Sequence, residues 1–495
     1  MAEVSKDLLA YWRRPDVSRD TPLKVVAYLD RQPAADVRGV PRSESDRRGA
    51  IEVLRSAGVE GTILRSPRLK PRHIARGRPS VTLELTAGEL EELSEAAGIG
   101  HIRLVRMHRM HLDESVPLLG VNASVSSRFD GSGVTVAVID SGIDHNHPDL
   151  QGRVLLDRNR NFTDEGGPAD VSDGNGHGTH VAGIIGGGGA HFRGVAPGVR
   201  LIACKVFTSG GKTTEEGAII DAVRHAVQEG ADIINYSGGF APVDPPIALI
   251  DPPWVWPQQL LEEEQEFERA MQLGSLAVVS AGNEGEFGHF GTLSMPATCA
   301  AVLSVGAIGK DRVLSGFSSW GPSYRSPQVP LFDAPQTMTP ALRPSTDSFP
   351  EVDLVAPGGE VDHQGFGLGG CFYQPGIAAP MSTNLIPANE DPACVVDAGY
   401  WRISGTSQAA PHVSGLAALV LQATREAGID LGPHRAFVLK RMLRSAAARV
   451  GDFPRRAQGR GLPVWGELDR MVQDLAAGRL LITSNGLLRR SPSAT

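Results

Sequence analysis

Cysteine is nearly absent: four in 495 residues, too few for a disulfide framework to carry a chain of this length. No apolar run approaches the ~18 residues of a membrane helix, so no helical span is expected. Basic residues do not predominate. The 48 Lys and Arg against 56 Asp and Glu leave a net charge of −8 and give no reason to expect a nucleic-acid partner. The opening MAEVSKDLLAYWRRPD has no long apolar core before a cleavage site, so no signal peptide is visible and a cytoplasmic location is expected. What the chain does have is 41% hydrophobic residues, enough for a sizeable core, together with 58 Gly and 35 Pro, which point to many turns and long loops. At about 100–200 residues per domain, two to four domains are expected.

Charge divides the chain. Residues 1–112 carry 20 basic and 15 acidic side chains, and the remainder 28 and 41. Such an asymmetry can be drift between two unrelated surfaces, or it can let the two parts bind each other.

The front part alternates short strand and helix patterns. After a polar tail over 1–21, strands are expected at 22–30, 61–66, 80–85 and 101–108, and helices at 43–58 and from Thr86 to Gly98. Ser43 or Ser45 suits the N-cap of the first helix. Thr86 with Glu89 forms a capping box for the second. The order β-α-β-β-α-β is a split βαβ unit of about 90 residues.

Beyond residue 113, apolar strands at 133–140, 199–207, 231–237 and 275–282 alternate with helices from 177, over 213–230 and over 261–274. That alternation predicts a parallel sheet covered on both faces. Reactive groups in such sheets sit beyond the carboxyl ends of the strands. Stretches near 240–260, 322–350 and 361–400 read as loop insertions. Near the end, two covering helices precede a loose tail, RRSPSAT.

Three segments carry chemistry. Asp140 ends the apolar strand of GVTVAVIDSGID, at the functional edge of the sheet. Taken alone, an Asp there is a turn or helix cap. His177 opens a helix in DGNGHGTHVAG between Gly176 and Gly178; with His180 it could begin a metal site, but no third ligand follows at a familiar spacing. Ser407 stands at the start of a long apolar helix in SGTSQAAPHVSG. Alone it would be an N-cap, although free backbone N–H groups and the helix dipole there also favour developing negative charge.

Together VAVIDSGID, NGHGTHVAG and SGTSQAAPHVSG, in that order, resemble the catalytic blocks of the subtilisin-like serine peptidases, the subtilase family. A fourth block, VVSAGNEG, places Asn283 where that family keeps its oxyanion-hole amide. The resemblance runs from about 133 to 422. It implies a doubly wound α/β fold with a mainly parallel sheet, preceded by the small α+β unit. It also implies a serine endopeptidase acting on polypeptides, with Asp140, His177 and Ser407 as triad, Asn283 in the oxyanion hole, and Ser237, Gly238 and Gly239 as the strand that pairs with extended substrate.

Some positions depart from the family. Gln408 follows the nucleophile where a Met is usual, which removes an oxidisable thioether without touching the mechanism. Asp149 matches a calcium ligand of some relatives, but the facing loop IIGGGGAHFRG is short and glycine-rich, so no metal and no cofactor is expected. Gly238 replaces a larger cleft residue, and Ser294 stands at the base of the expected first pocket; neither translates into a side-chain preference.

The front unit resembles the subtilase propeptide, an intramolecular chaperone and inhibitor, and SVPLLGV resembles the start of mature relatives. That puts a processing junction near Leu112–Asp113. The expected parts are a tail (1–21), a propeptide-like unit (22–112), a peptidase domain (113–445) and a C-terminal helical extension (446–495). Cys204 and Cys299 read as core thiols, and Cys371 and Cys394 could pair. Trp254 and Trp256 suit either a flap or loop packing. A dedicated peptide-maturation or ligation enzyme, or a catalytically silent scaffold, remain alternatives to a general endopeptidase.

Overall fold

The computed structural model describes residues 3–4, 23–29, 80–95, 99–104, 110–190, 192–212, 217–239, 258–285, 292–321, 351–359, 376–385 and 394–491. The expected helix 43–58, the strand 61–66, Cys371, Trp254 and Trp256 lie outside them. The chain divides into two units, residues 1–107 with 363–365, and 108–362 with 366–495.

In the first unit, β1 (Glu3–Val4), β2 (Leu23–Leu29), β3 (Ser80–Leu85) and β4 (Ile99–Leu104) form a sheet in the order β1-β4-β2-β3. β2 runs antiparallel to both β3 and β4, and β1 parallel to β4. The strand at Glu3–Val4 falls where a tail was expected. Helix α1 (Ala87–Glu95) starts at its capping box: the Thr86 N–H donates to the Glu89 carboxylate at 2.8 Å, and the Glu89 N–H to the Thr86 hydroxyl at 3.4 Å. Leu90 and Leu93, one turn apart, are buried with Ile99 and Ile102 of β4.

The second unit begins with β5 (Met110–His111), α2 (Leu112–Leu118) and α3 (Ala123–Arg128). Its main sheet comprises β6 (Thr135–Asp140), β7 (Arg160–Asn161), β8 (Arg200–Lys205), β9 (Ile233–Tyr236), β10 (Leu276–Ser280), β11 (Leu303–Ile308) and β12 (Leu354–Pro357). All are parallel, in the order β12-β11-β10-β9-β6-β8-β7. The chain leaves β6 to build β8 on one side and β9 on the other, so β6 lies at the switch point where such sheets open a crevice. Every residue of β9 to β12, and all but the first of β6 and β8, is buried. Strands buried this thoroughly need cover on both faces. Two helix pairs provide it: α4 (His177–Gly186) with the long α7 (Thr406–Glu426), and α5 (Gly217–Gln228) with α6 (Gln258–Gln272).

The 361–400 region is not simply a loop. β13 (Ile377–Pro380), β14 (Val395–Asp397) and β15 (Tyr400–Ile403) form an antiparallel ladder, and β5 adds to β13 in parallel, Met110 opposite Ile377. These strands are three or four residues long, too short to show a period within Gly- and Pro-rich sequence. After α7 come α8 (Arg435–Ser445), β16 (Ala447–Ala448), the short α9 (Arg455–Gln458), β17 (Leu462–Pro463) and α10 (Trp465–Ala476). Trp465, Leu468 and Val472 of α10 join the main core; Trp465 packs on Phe129 at 5.1 Å and its N–H donates to the Leu119 carbonyl. The hairpin of β18 (Leu480–Ile482) and β19 (Leu488–Arg490) takes Arg489 and Arg490 out of the expected loose tail. Among the described residues no helix is long and apolar enough to cross a membrane.

Candidate active site

Asp140 is the last residue of β6 and is fully buried. His177, the first residue of α4, is partly open, and its Nδ1 lies 2.8 Å from Asp140 Oδ1. A carboxylate only accepts, so Nδ1 carries the hydrogen and Nε2 is left as the basic nitrogen. The approach depends on Gly178, where a Cβ would stand 2.1 Å from the Gly142 carbonyl oxygen and 3.1 Å from Asp140 Cβ. Burial works against the imidazolium, but the charge of Asp140, its hydrogen bond and the charge of Asp173 outweigh it and raise the pKa of His177.

The N-cap of α4 is Gly176, which has no side chain to satisfy the first-turn N–H groups. Neighbouring side chains do so instead. Asn175 Oδ1 accepts from the His177 N–H, Ser141 Oγ from Gly178, and Asp173 Oδ2 from Thr179. Asp173 is fully buried and also accepts from the Ser141 and Thr179 hydroxyls at 2.8 and 2.6 Å and from the Gly176 N–H at 2.7 Å. Burial nevertheless pushes its pKa up. Sequence reading passed over this second carboxylate; its only signal was its place four residues before His177.

Ser407 is the second residue of α7, and its own N–H has no partner among the described residues. Four residues on, Pro411 has no N–H to offer the Ser407 carbonyl. The Ser237 hydroxyl supplies the missing bond at 2.9 Å, and the Ser407 hydroxyl returns one to the Ser237 carbonyl at 3.0 Å. Ser237 Oγ is fixed in turn by Asn235 Nδ2 at 2.9 Å, and Asn235 Oδ1 by the Ser414 hydroxyl at 2.8 Å. Thus Ser407 bonds to Ser237 here, and no hydrogen bond joins it to His177 among the described residues.

Asn283 follows β10. Its Oδ1 accepts from the Thr406 N–H at 2.9 Å and the Thr406 hydroxyl at 3.0 Å. A backbone N–H can only donate, which fixes the amide's orientation and turns Nδ2 away from Thr406. A Cβ on Gly405 would meet Asn283 Nδ2 at 3.5 Å and the Ser407 N at 3.6 Å, so two donors flank one bare glycine. Thr406 was another omission; its position beside Ser407 carried no separate signal. Glu284, also passed over, sets its carboxylate beside the hydroxyls of Ser319 at 2.9 Å and Ser294 at 3.4 Å.

The expected substrate strand is partly engaged. The Ser237 carbonyl holds Ser407 Oγ, and the Gly238 carbonyl accepts from the Ser280 hydroxyl at 3.3 Å. Gly239 has no backbone partner among the described residues. His180 Nε2 faces the carbonyls of Ile377 and Trp401 at 3.0 and 3.3 Å, and burial, with His177 nearby, pushes its pKa down to about 3. At Asp149, Oδ2 is buried without a partner and Gly189 closes over the carboxylate. Burial and that carboxylate push the Tyr400 phenol up to about 12. One residue along the loop, Gly188 lies against the Arg153 guanidinium. No group of three or more His, Cys, Asp or Glu able to hold a metal occurs among the described residues.

The sequence profile of the subtilase family matches residues 131–461. Over 334 residues the chain is 31% identical to the major intracellular serine protease of Bacillus subtilis (strain 168), covering 65% of this chain and 81% of that protein. It is 33% identical over 303 residues to an intracellular serine protease of Paenibacillus polymyxa, covering 60% and 70%. Among solved structures, a lanthipeptide protease superposes with a TM-score of 0.52 at 23% identity, over 73% of this chain and 95% of that one, a likeness of fold. With two thirds of its length matched, this chain belongs to the subtilase family and is a subtilisin-like serine endopeptidase.

Proposed function

We propose that Ser407 is the nucleophile of peptide hydrolysis, His177 its general base and acid, Asp140 the residue that orients and charges the imidazole, and Asn283 with the Ser407 N–H the oxyanion hole. The observation that carries this reading is the pair of donors, Asn283 Nδ2 and the Ser407 N, flanking Gly405 beside the nucleophile. Ser407 Oγ leaves the Ser237 carbonyl, passes its proton to His177 Nε2 and attacks the scissile carbonyl. The two donors meet the negative oxygen that then forms. His177 returns the proton to the leaving amine. Water, activated by the same imidazole, releases the acyl chain.

The same reading makes the N-terminal unit an inhibitor of its own peptidase, cut near Leu112–Asp113. Tethering keeps a segment at an effective concentration of about millimolar, so even a poor cleavage sequence reacts. Leu112 opens α2 directly after β5. A peptidase takes its substrate extended, so this first turn has to open for the cut. The names of the two bacterial relatives place those proteins inside the cell, and we assign the same location here.

Purified wild-type and Ser407→Ala chains test the assignment together. The wild type should take up a fluorophosphonate label, digest a proteome-derived peptide library and lose its front unit by intact mass. The Ser407→Ala chain should do none of these. Undiminished hydrolysis by the variant removes the triad. An uncut but fully active wild type removes only the inhibitory role.

A further inference from the structure

We infer that Gln408 is a third polar group of the oxyanion site. The inference rests on the proposed roles of Ser407 and Asn283. The Gln408 side chain is 1% exposed, yet its carboxamide nitrogen is buried without an acceptor. Its oxygen lies 2.9 Å from the point a Cβ on Gly405 would occupy, the same point that Asn283 Nδ2 and the Ser407 N approach at 3.5 and 3.6 Å. Three amide groups therefore converge on one bare glycine.

Their arrangement follows the charge of the site. With no oxyanion present, two N–H donors converge, and the Gln408 oxygen turned toward them is electrostatically favourable. The cost falls on the buried NH₂, which is left unpaired. When a negative oxygen forms between the donors, that preference reverses: the carboxamide oxygen now faces like charge, and a half-turn about its last torsion presents the NH₂ instead. No bond is made or broken. The donor reaches the charge only when the charge exists, which is the condition for lowering the barrier rather than tightening substrate binding. A Met at this position, as in most relatives by the family resemblance, has no donor to present.

The test uses the full-length chain, its Gln408→Met and Gln408→Glu variants, and a peptide aldehyde with its matching alcohol. The aldehyde adds Ser407 Oγ to its carbonyl carbon as a hemiacetal, leaving its oxygen as the oxyanion and the hydroxyl proton on His177; the alcohol cannot. Gln408→Met should lower kcat about tenfold, less than the 10²–10³ of a primary donor, with KM unchanged. Aldehyde affinity should fall by the same factor and alcohol affinity should hold. Gln408→Glu, of equal size but unable to donate when ionised, should lose more of both. On an Asn283→Ala background the Gln408→Met loss should change in size, because both groups act on one oxygen. Wild-type kcat and aldehyde affinity in Gln408→Met, with both lost in Asn283→Ala, would overturn the inference and leave the triad standing. A wild-type chain that ignores the aldehyde would overturn the triad reading as well.

Discussion

The two halves of the candidate site are built from different materials. Around His177 the partners are carboxylates: Asp140 at 2.8 Å, and behind it the buried Asp173, which also caps the helix that carries His177. Around Ser407 they are neutral: the hydroxyls of Ser237 and Thr406 and the amides of Asn235 and Asn283. Charge acts over distance and sets a pKa. Neutral bonds act only at contact and set a direction. The first half should therefore answer to pH, and the second to side-chain shape.

The largest effect should come from the charged half. Asp140→Asn offers His177 an amide that can donate, favouring the wrong tautomer, and kcat should fall by about 10⁴, the loss known for this exchange in another Ser-His-Asp peptidase. A variant within tenfold of wild type would mean that Asp140 only shapes the strand end. Next comes the neutral half. Asn283→Ala should cost about 10²–10³ in kcat with little change in KM; that magnitude is the one found for the corresponding donor in subtilisin. A strong rise in KM with kcat intact would show that the amide binds the ground state instead.

Thr406→Val keeps the shape and the backbone N–H but removes the hydroxyl that donates to Asn283 and accepts from the Gly282 N–H at 3.1 Å. Stability should fall by about 1 kcal/mol and kcat several-fold, with the pH profile unmoved. A shift of the profile would dissolve the distinction between the halves.

The pH profile sharpens the comparison further. In the proposed mechanism neutral imidazole is the working base, and the folded pKa of His177 is raised above 6.5. Activity should therefore be lost as pH falls through a value above 6.5. Asp173→Asn removes one charge that raises it, so the acid limb of kcat/KM should move to lower pH. An unmoved limb would mean that Asp173 carries no charge while His177 titrates. The smallest effect is expected from chelator. A bound ion stabilises only the state that holds it, and with the loop facing Asp149 so short and glycine-rich the melting temperature should scarcely change. A fall of many degrees, restored by calcium, would show that the 187–194 loop takes an ion after all.

Sequence determined a good deal of this by local chemistry alone. The apolar runs ending at Asp140 and Ser280 had to be buried parallel strands, because continuous Val, Ile and Ala leave no polar face for solvent. The Thr86–Glu89 capping box spans three residues and needs nothing else to form. Asp140, His177, Asn283 and Ser407 could be singled out only as a set: alone, Asp140 and Ser407 read as caps, and it is the four blocks in order that resemble one family.

Only the tertiary structure decided the rest, since those contacts join residues that local pattern does not link. Ser237 and Ser407 are 170 residues apart, and their reciprocal bonds exist because Pro411 leaves a carbonyl unclaimed just where β9 ends. β5 finds β13 across more than 260 residues, and Ser115 of α2 donates at 2.8 Å to His412, whose other ring nitrogen is committed to the Gln408 carbonyl. Serine, threonine and glutamine carry no pattern of their own in a sequence. A hydroxyl or an amide takes its meaning from the unpaired group that the fold sets in front of it.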